Sequence, residues 1–244
     1  MKKLKVKLVL AGHLRNSLNL QRLRKFKSRL FTISEIEVIN VLSEPQHDTE
    51  FLSISYSHSD IDLMLRSVNG ADLILGVMNY RFIDNFYMYR TASNKACISI
   101  SDIDRLLLAY DISIENFILK NIIELVVFKN TLGSINTKDV YQYVHRETRG
   151  CLFDMNGDKQ DVLYNTEQPI LCNHCKAQIN SKNVPSDFLE HLKKDLSKIT
   201  KSRILKIEEL IRKHPLLSVL IALLGGLLIN IATQLAFNLM KLNV

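Results

Sequence analysis

Apolar and polar positions alternate from the start of the chain. Leu4, Val6, Leu8 and Leu10 fall on one side of an extended segment, and Lys3, Lys5 and Lys7 on the other. A period of two predicts a first strand. A helical pattern follows, with Leu20, Leu23, Phe26 and Leu30 packing inward from a basic helix. Candidate strands come at 37–42 and 51–55, then a helix at 60–68 that ends near Asn69-Gly70. Residues 71–78, ADLILGVM, form a short apolar run between turn signals and predict a buried strand, and 96–100 predicts another. Ser101-Asp102 and Ser113 are placed to cap two further helices. The second of these, 114–129, is apolar on most of its surface and is expected to be the central buried helix. Strands alternating with helices favour a layered α/β domain over a helical bundle.

The pattern then changes twice. From 185 to 214 a charged helix carries Leu189, Leu192, Leu196 and Ile199 at spacings of three and four, slips near 200–203, and resumes at Ile204, Ile207 and Ile211. This stripe suits either a short coiled coil or a helix folded back on the head. From 215 to 240, PLLSVLIALLGGLLINIATQLAFNLM, no residue is charged. About 20 apolar residues suffice to cross a bilayer, so this run predicts one transmembrane helix and a tail-anchored protein. The expected organisation is a head over 1–182, a stalk over 183–214 and a membrane span over 215–240.

Within the span, Ser218, Ala222, Gly226, Asn230, Gln234 and Asn238 recur every fourth position and share one face. Small residues allow close helix approach, and amides hydrogen-bond across a contact. The expectation is self-association into a homo-oligomer, or further the lining of a polar path through the bilayer; a plain anchor with its amides near the headgroups is the simpler alternative.

Charge adds an orientation. The formal net charge of +7 is concentrated in Arg22, Arg24, Lys25, Lys27 and Arg29, and in a second run from Lys193 to Lys213 just before the span. Basic residues on one flank favour the cytoplasmic side, so the head is expected to be cytosolic and the span to lie in the inner membrane. The start has the charges of a signal peptide but too short an apolar stretch. The Arg22 to Arg29 run suits a nucleic acid, a phosphorylated small molecule, or simply the solvated face of a helix. The solvated face is the simpler reading, and no nucleic-acid partner is expected. The second run could also rest on anionic headgroups.

There are four cysteines, Cys97, Cys151, Cys172 and Cys175. In a cytosolic head they favour metal over disulfides. The two-residue gap in Cys172-Asn-His-Cys175 lets both sulfurs reach one tetrahedral zinc. Cys151, 21 positions before Cys172, is placed to supply a third thiolate. His145 is the first choice for the fourth ligand, with Cys97, His174 and Asp154 behind it. A redox pair and unliganded cysteines are the alternatives.

The segment HRETRGCLFDM from His145 to Met155, then Lys159 and Asp161, then Cys172-x-x-Cys175, resembles the cysteine-rich C-terminal portion of archaemetzincin-like zinc peptidases. In that family a CxM element followed by CxxC builds a structural zinc site beside the catalytic one. The matching residues here are Cys151, Met155, Cys172 and Cys175; the Cys-to-Met gap is longer and one family cysteine is missing. The layout of 71–129 is also similar, and in the family its long helix carries HExxH. The aligned residues are Ile123-Glu124-Leu125-Val126-Val127, with Glu124 at the general-base position and both histidines replaced. A catalytic zinc needs two imidazoles one turn apart. The resemblance covers about residues 1–180 and implies a zincin-like pseudo-enzyme.

Phosphate-binding GxGxxG and GxxxxGK[ST] loops and a GxSxG elbow are absent from the sequence. Asp154, Asn156 and Asp158 only faintly resemble a calcium loop, and Asn156-Gly157 is more simply a tight hairpin turn. His58, Asp60 and Asp62 could hold a metal, but Ser59-Asp60 at a helix start explains Asp60. Two functions remain. One is a non-enzymatic membrane sensor and effector, activated by an unidentified protein or small ligand, which in outline resembles the small bacterial antiphage effectors that damage membranes. The other is a membrane-tethered zinc hydrolase.

Overall fold

The first strand, β1 (Leu4–Ala11), lies inside the sheet, with β2 (Phe31–Ile39) on one side and β4 (Leu73–Met78) on the other, both parallel to it. The computed structural model describes residues 2–12, 14, 18–45, 54–147, 150–200, 210–211 and 213–241, with side chains as far as residue 234. Its central sheet has the order β2-β1-β4-β7-β6, in which β7 (Lys95–Ser99) runs parallel to β4, and β6 (Met88–Ala92) closes the edge antiparallel. A parallel interior needs cover on both faces, and this sheet has it. One face, built on Val6, Leu8, Leu75, Val77 and Ile98, packs against the long helix α4 (Ile114–Leu132). The opposite face, with Val9, Ile74, Met78 and Cys97, packs against Ile61 and Leu65 of α2 (His58–Arg66). The expected layered α/β arrangement is therefore present.

The simple alternation of β1 fails at Lys7. Both faces of the strand are covered from Val6 to Ala11, and Lys7 is 8% exposed. Its amine reaches Glu35 at 3.1 Å and Glu37 at 2.7 Å on β2, and those bonds raise its pKa. A long stem under a paired amine lets a lysine occupy a covered position.

Other boundaries differ for local reasons. The basic helix is a single turn, α1 (Leu20–Arg24), so Lys25 to Arg29 lie in the segment leading into β2. That strand begins six residues before the expected 37, at Phe31. The strand expected at 51–55 falls partly outside the described residues; what is seen is β3 (Ser55–Tyr56), paired in parallel with β5 (Arg81–Phe82). The cap of α2 is Ser57, which forms a reciprocal pair with Asp60, the N3 residue, so that Asp60 serves as a capping carboxylate. Asp102 precedes α3 (Ile103–Ala109) in a left-handed conformation without capping it, and its carboxylate meets Arg81 at 2.9 Å. Ser113 likewise makes no capping bond and instead meets Glu115 and Arg22.

Past α4, short helices α5 (Val162–Glu167), α6 (Asn173–Asn180) and α7 (Phe188–Leu196) complete the head. Leu192, Leu196 and Ile199 are buried in the same core as β1, so the stripe follows the second of its two readings, a helix folded back on the head, as far as this point. The packed unit accordingly runs Met1–Thr200, beyond the expected limit at 182. Of the stalk's second half, residues 201–209 and 212, with Ile204 and Ile207, lie outside the described residues.

The second unit, Lys201–Val244, contains α8 (Pro215–Lys241). Its segment Pro215–Gln234 is 20 residues of helix, long and apolar enough to cross a membrane. Two of its hydroxyls bond within their own helix, Ser218 to the His214 carbonyl at 3.0 Å and Thr233 to that of Ile229 at 2.8 Å.

Candidate metal centre

Three short backbone devices bring the metal-ligating side chains together. His145 is paired in both directions with the 153–155 segment: its amide donates to the Phe153 carbonyl at 3.1 Å and its carbonyl accepts from Met155 at 2.9 Å. Cys151 is held against Ile170, the amides of Leu152 and Ile170 bonding across at 2.8 and 3.0 Å. The turn between these two pairings is closed by Asp154, whose carboxylate accepts the Cys151 amide at 2.9 Å. Under it, Phe153, Tyr143 and Phe128 form an aromatic floor with ring centroids 5.1 to 5.7 Å apart. Cys172 is the N-cap of α6, and its sulfur accepts the Cys175 amide at 3.5 Å. Both residues of the CxxC thus sit at a helix N-terminus, where the dipole favours thiolates.

The result is a cluster of His145, Cys151, Cys172 and Cys175 whose ligand atoms all lie within 4.8 Å of one another. His145 Nε2 is 3.0 Å from the Cys175 sulfur and 3.1 Å from that of Cys172, and the Cys151 and Cys175 sulfurs are 3.9 Å apart. A tetrahedron with zinc–sulfur arms of about 2.3 Å has a sulfur–sulfur edge of about 3.8 Å, so the thiol pair matches an edge of a zinc site. Cys151 and Cys175 are buried and Cys172 is half-buried. The donor set fits zinc. Three thiolates and one imidazole are soft to borderline ligands in tetrahedral number.

The Cys151 and Cys175 sulfurs perturb one another in opposite directions. The Cys175 thiol, hydrogen-bonding towards Cys151, holds Cys151 down at about 5 while that same contact pushes Cys175 up. The shared proton belongs to the pair, and a bound metal would displace it.

The other ligand candidates are elsewhere. Cys97 is in β7, buried on the α2 face, where burial pushes its thiol pKa up. His174 is exposed, its ring 5.7 Å from that of His145 and its Nε2 3.4 Å from the Gln142 carbonyl. Asp154 serves the turn. Asn156 adopts the left-handed conformation expected of a turn residue, with φ 52°, but its side chain is buried against Asn165 and Tyr87. His58 packs against Tyr89 and bonds to the Arg90 carbonyl.

On α4, Ile123 and Val127 are wholly buried and apolar. Glu124 is engaged by Lys120, one turn earlier, at 2.9 Å and by Arg90 of β6 at 3.3 Å. Glu124 and Arg90 also line a cleft of about 580 Å³ beside the β6 edge. Arg90 reaches Glu124 from β6, an edge strand whose mixed, half-buried pattern gives no clear sequence signal.

In the second unit, Ser218, Ala222, Gly226, Asn230 and Gln234 lie on α8 at four-residue intervals, and the side chain of Asn238 is outside the described part.

No protein-family model matches this chain, and no curated protein matches it. Among solved structures, the archaemetzincin of Methanopyrus kandleri is similar, with a TM-score of 0.47 and 16% sequence identity over 73% of this chain and 94% of that one.

Proposed function

We propose that the chain is a membrane-anchored, non-enzymatic sensor and effector. A zinc-stapled cytosolic head responds to a ligand, and the response controls self-association of α8, which disrupts the bilayer. The observation that carries the non-enzymatic part is the closed donor set. His145 and the three cysteines supply four donors, the number that completes a structural tetrahedral zinc site, whereas a hydrolytic zinc keeps one position open to water. Two further features support it: the α4 positions that would need imidazoles are Ile123 and Val127, and Glu124 is neutralised by Lys120 and Arg90. The membrane part rests on the apolar Pro215–Gln234 helix and on the small and amide residues along one of its faces.

The test is inducible expression of the whole chain, of a version ending at His214, and of a Gly226→Leu/Asn230→Leu variant, following growth and membrane potential together. Depolarisation by the whole chain only is the expected result. Depolarisation by none of them would reduce the helix to a tether and end the effector reading, and equal depolarisation by the leucine variant would rule out control through the small and amide face.

A further inference from the structure

The two basic runs, far apart in sequence, meet around one hollow of the head. Lys198 donates a hydrogen bond to the Lys27 carbonyl across 171 positions of chain. Between them opens a cavity of about 700 Å³, within the size range of small-ligand sites. Arg24, Lys25, Lys27 and Arg29 line one side of it, and Lys194 and Lys198 of the α7 region line the other, with Lys3 of the N-terminal segment completing the ring.

Seven lysines and arginines therefore face a lining that contains one carboxylate, Asp195. That carboxylate is already committed. It is 1% exposed, accepts the Ser28 hydroxyl and pairs with Lys198 at 2.8 Å. Among the described residues, none of Lys3, Arg24, Lys25, Lys27 and Arg29 has an ion-pair partner. His191 also lines the cavity, and its Nδ1 is buried without a hydrogen-bond partner among the described residues. Like charges gathered on a concave surface repel one another and focus a positive potential that an anion relieves.

The floor is aromatic. Phe26 is half-buried and stacks on Phe31 with ring centroids 5.7 Å apart, and the Lys198 amine lies 5.4 Å from the Phe26 centroid. A flat ring among cations suits a ligand with a planar group as well as phosphates. The cations come from three elements around one hollow, not along an extended track, so a compact ligand fits better than a nucleic-acid strand.

We propose that this cavity binds a phosphate-bearing anion, either a soluble nucleotide or a phospholipid headgroup. The inference names the class of ligand for the sensing head and in that respect rests on the function proposed above; binding itself is measurable whether or not the membrane is disrupted.

The experiment uses the full chain in phosphatidylcholine nanodiscs, titrated with ATP and with inorganic tripolyphosphate by calorimetry. Both are expected to bind and to compete, more weakly as salt rises. Lys25→Glu/Arg29→Glu, at exposed positions, should weaken both roughly tenfold or more while leaving zinc content unchanged. A second double variant, Lys27→Ala/Lys194→Ala, keeps the test open if charge reversal impairs folding. If the chain instead prefers discs containing phosphatidylserine, and these suppress ATP binding, the headgroup is the source of the phosphate. Binding of neither probe nor of anionic discs in a variant-sensitive way would overturn the proposal, as would a single-stranded oligonucleotide that displaces ATP at far lower concentration. Lost depolarisation with ATP binding intact would fault the effector reading alone; the reverse would fault this inference alone.

Discussion

His145 Nε2 and the Cys175 sulfur lie 3.0 Å apart although 30 positions of chain separate them. The pairing of 145 with 153–155 and of 151 with 170 helps bring the imidazole to the CxxC residues, so the four ligands are a product of folding. Zinc removal should therefore act on the whole head. Ligand in thousandfold excess over Kd stabilises by about 4 kcal/mol, which for a domain of this size is roughly 8–16 °C in Tm. Chelation, or Cys175→Ser, should lower Tm by about that amount, and His145→Ala should release zinc. Calorimetry with metal analysis checks both; an unchanged Tm in the metal-free protein would speak against a structural role.

Lys120 has no exposed surface, and its stabilisation depends on Glu124 one turn away. Burial works against the ammonium, but the Glu124 carboxylate outweighs it and holds the pKa above 10.5. Glu124→Gln would strand that charge and should cost about 3–5 kcal/mol in urea unfolding, whereas Lys120→Met/Glu124→Gln should recover much of it. A raised folded pKa means this contribution is complete below the unfolded value near 10.5 and is lost only as pH climbs through the folded one. The stabilisation from the intact pair should thus be flat across neutral pH and be lost only in strong alkali. Zinc content should not change.

Gly76, in the middle of β4, is held small by a cysteine across the strand. A Cβ there would come 2.9 Å from the Cys97 sulfur and 3.5 Å from Leu65. Gly76→Ala should destabilise by about 1–3 kcal/mol through overpacking, and adding Cys97→Ala should restore most of the loss. Denaturant unfolding of the single and double variants tests the coupling; additive effects would place the strain elsewhere.

The elements legible in the sequence are those with one-sided or all-apolar patterns. ADLILGVM and the helix from Ile114 were readable because burial on every side leaves an unbroken apolar run. The edge strand β6, MYRTA, was not foreseen because it is half-buried and mixed, though Ser93-Asn94 between it and β7 has the length of a two-residue hairpin turn. The basic run after Leu20 had helical spacing, yet its helix stops at Arg24 and the run bends around a cavity shared with α7, a long-range contact that periodicity does not encode. At the metal centre, CxxC spacing alone located Cys172 and Cys175. Cys151 and His145 were reachable only as candidates, because their positions depend on backbone pairings between segments of no regular pattern.

The central claim is that the metal centre is closed. X-ray absorption at the zinc edge of the purified full chain measures it directly. Three sulfurs at about 2.3 Å and one nitrogen at about 2.0 Å, with no oxygen ligand, are the predicted shell. A water oxygen in the shell, or only two sulfurs, would contradict the account and turn attention to hydrolytic chemistry.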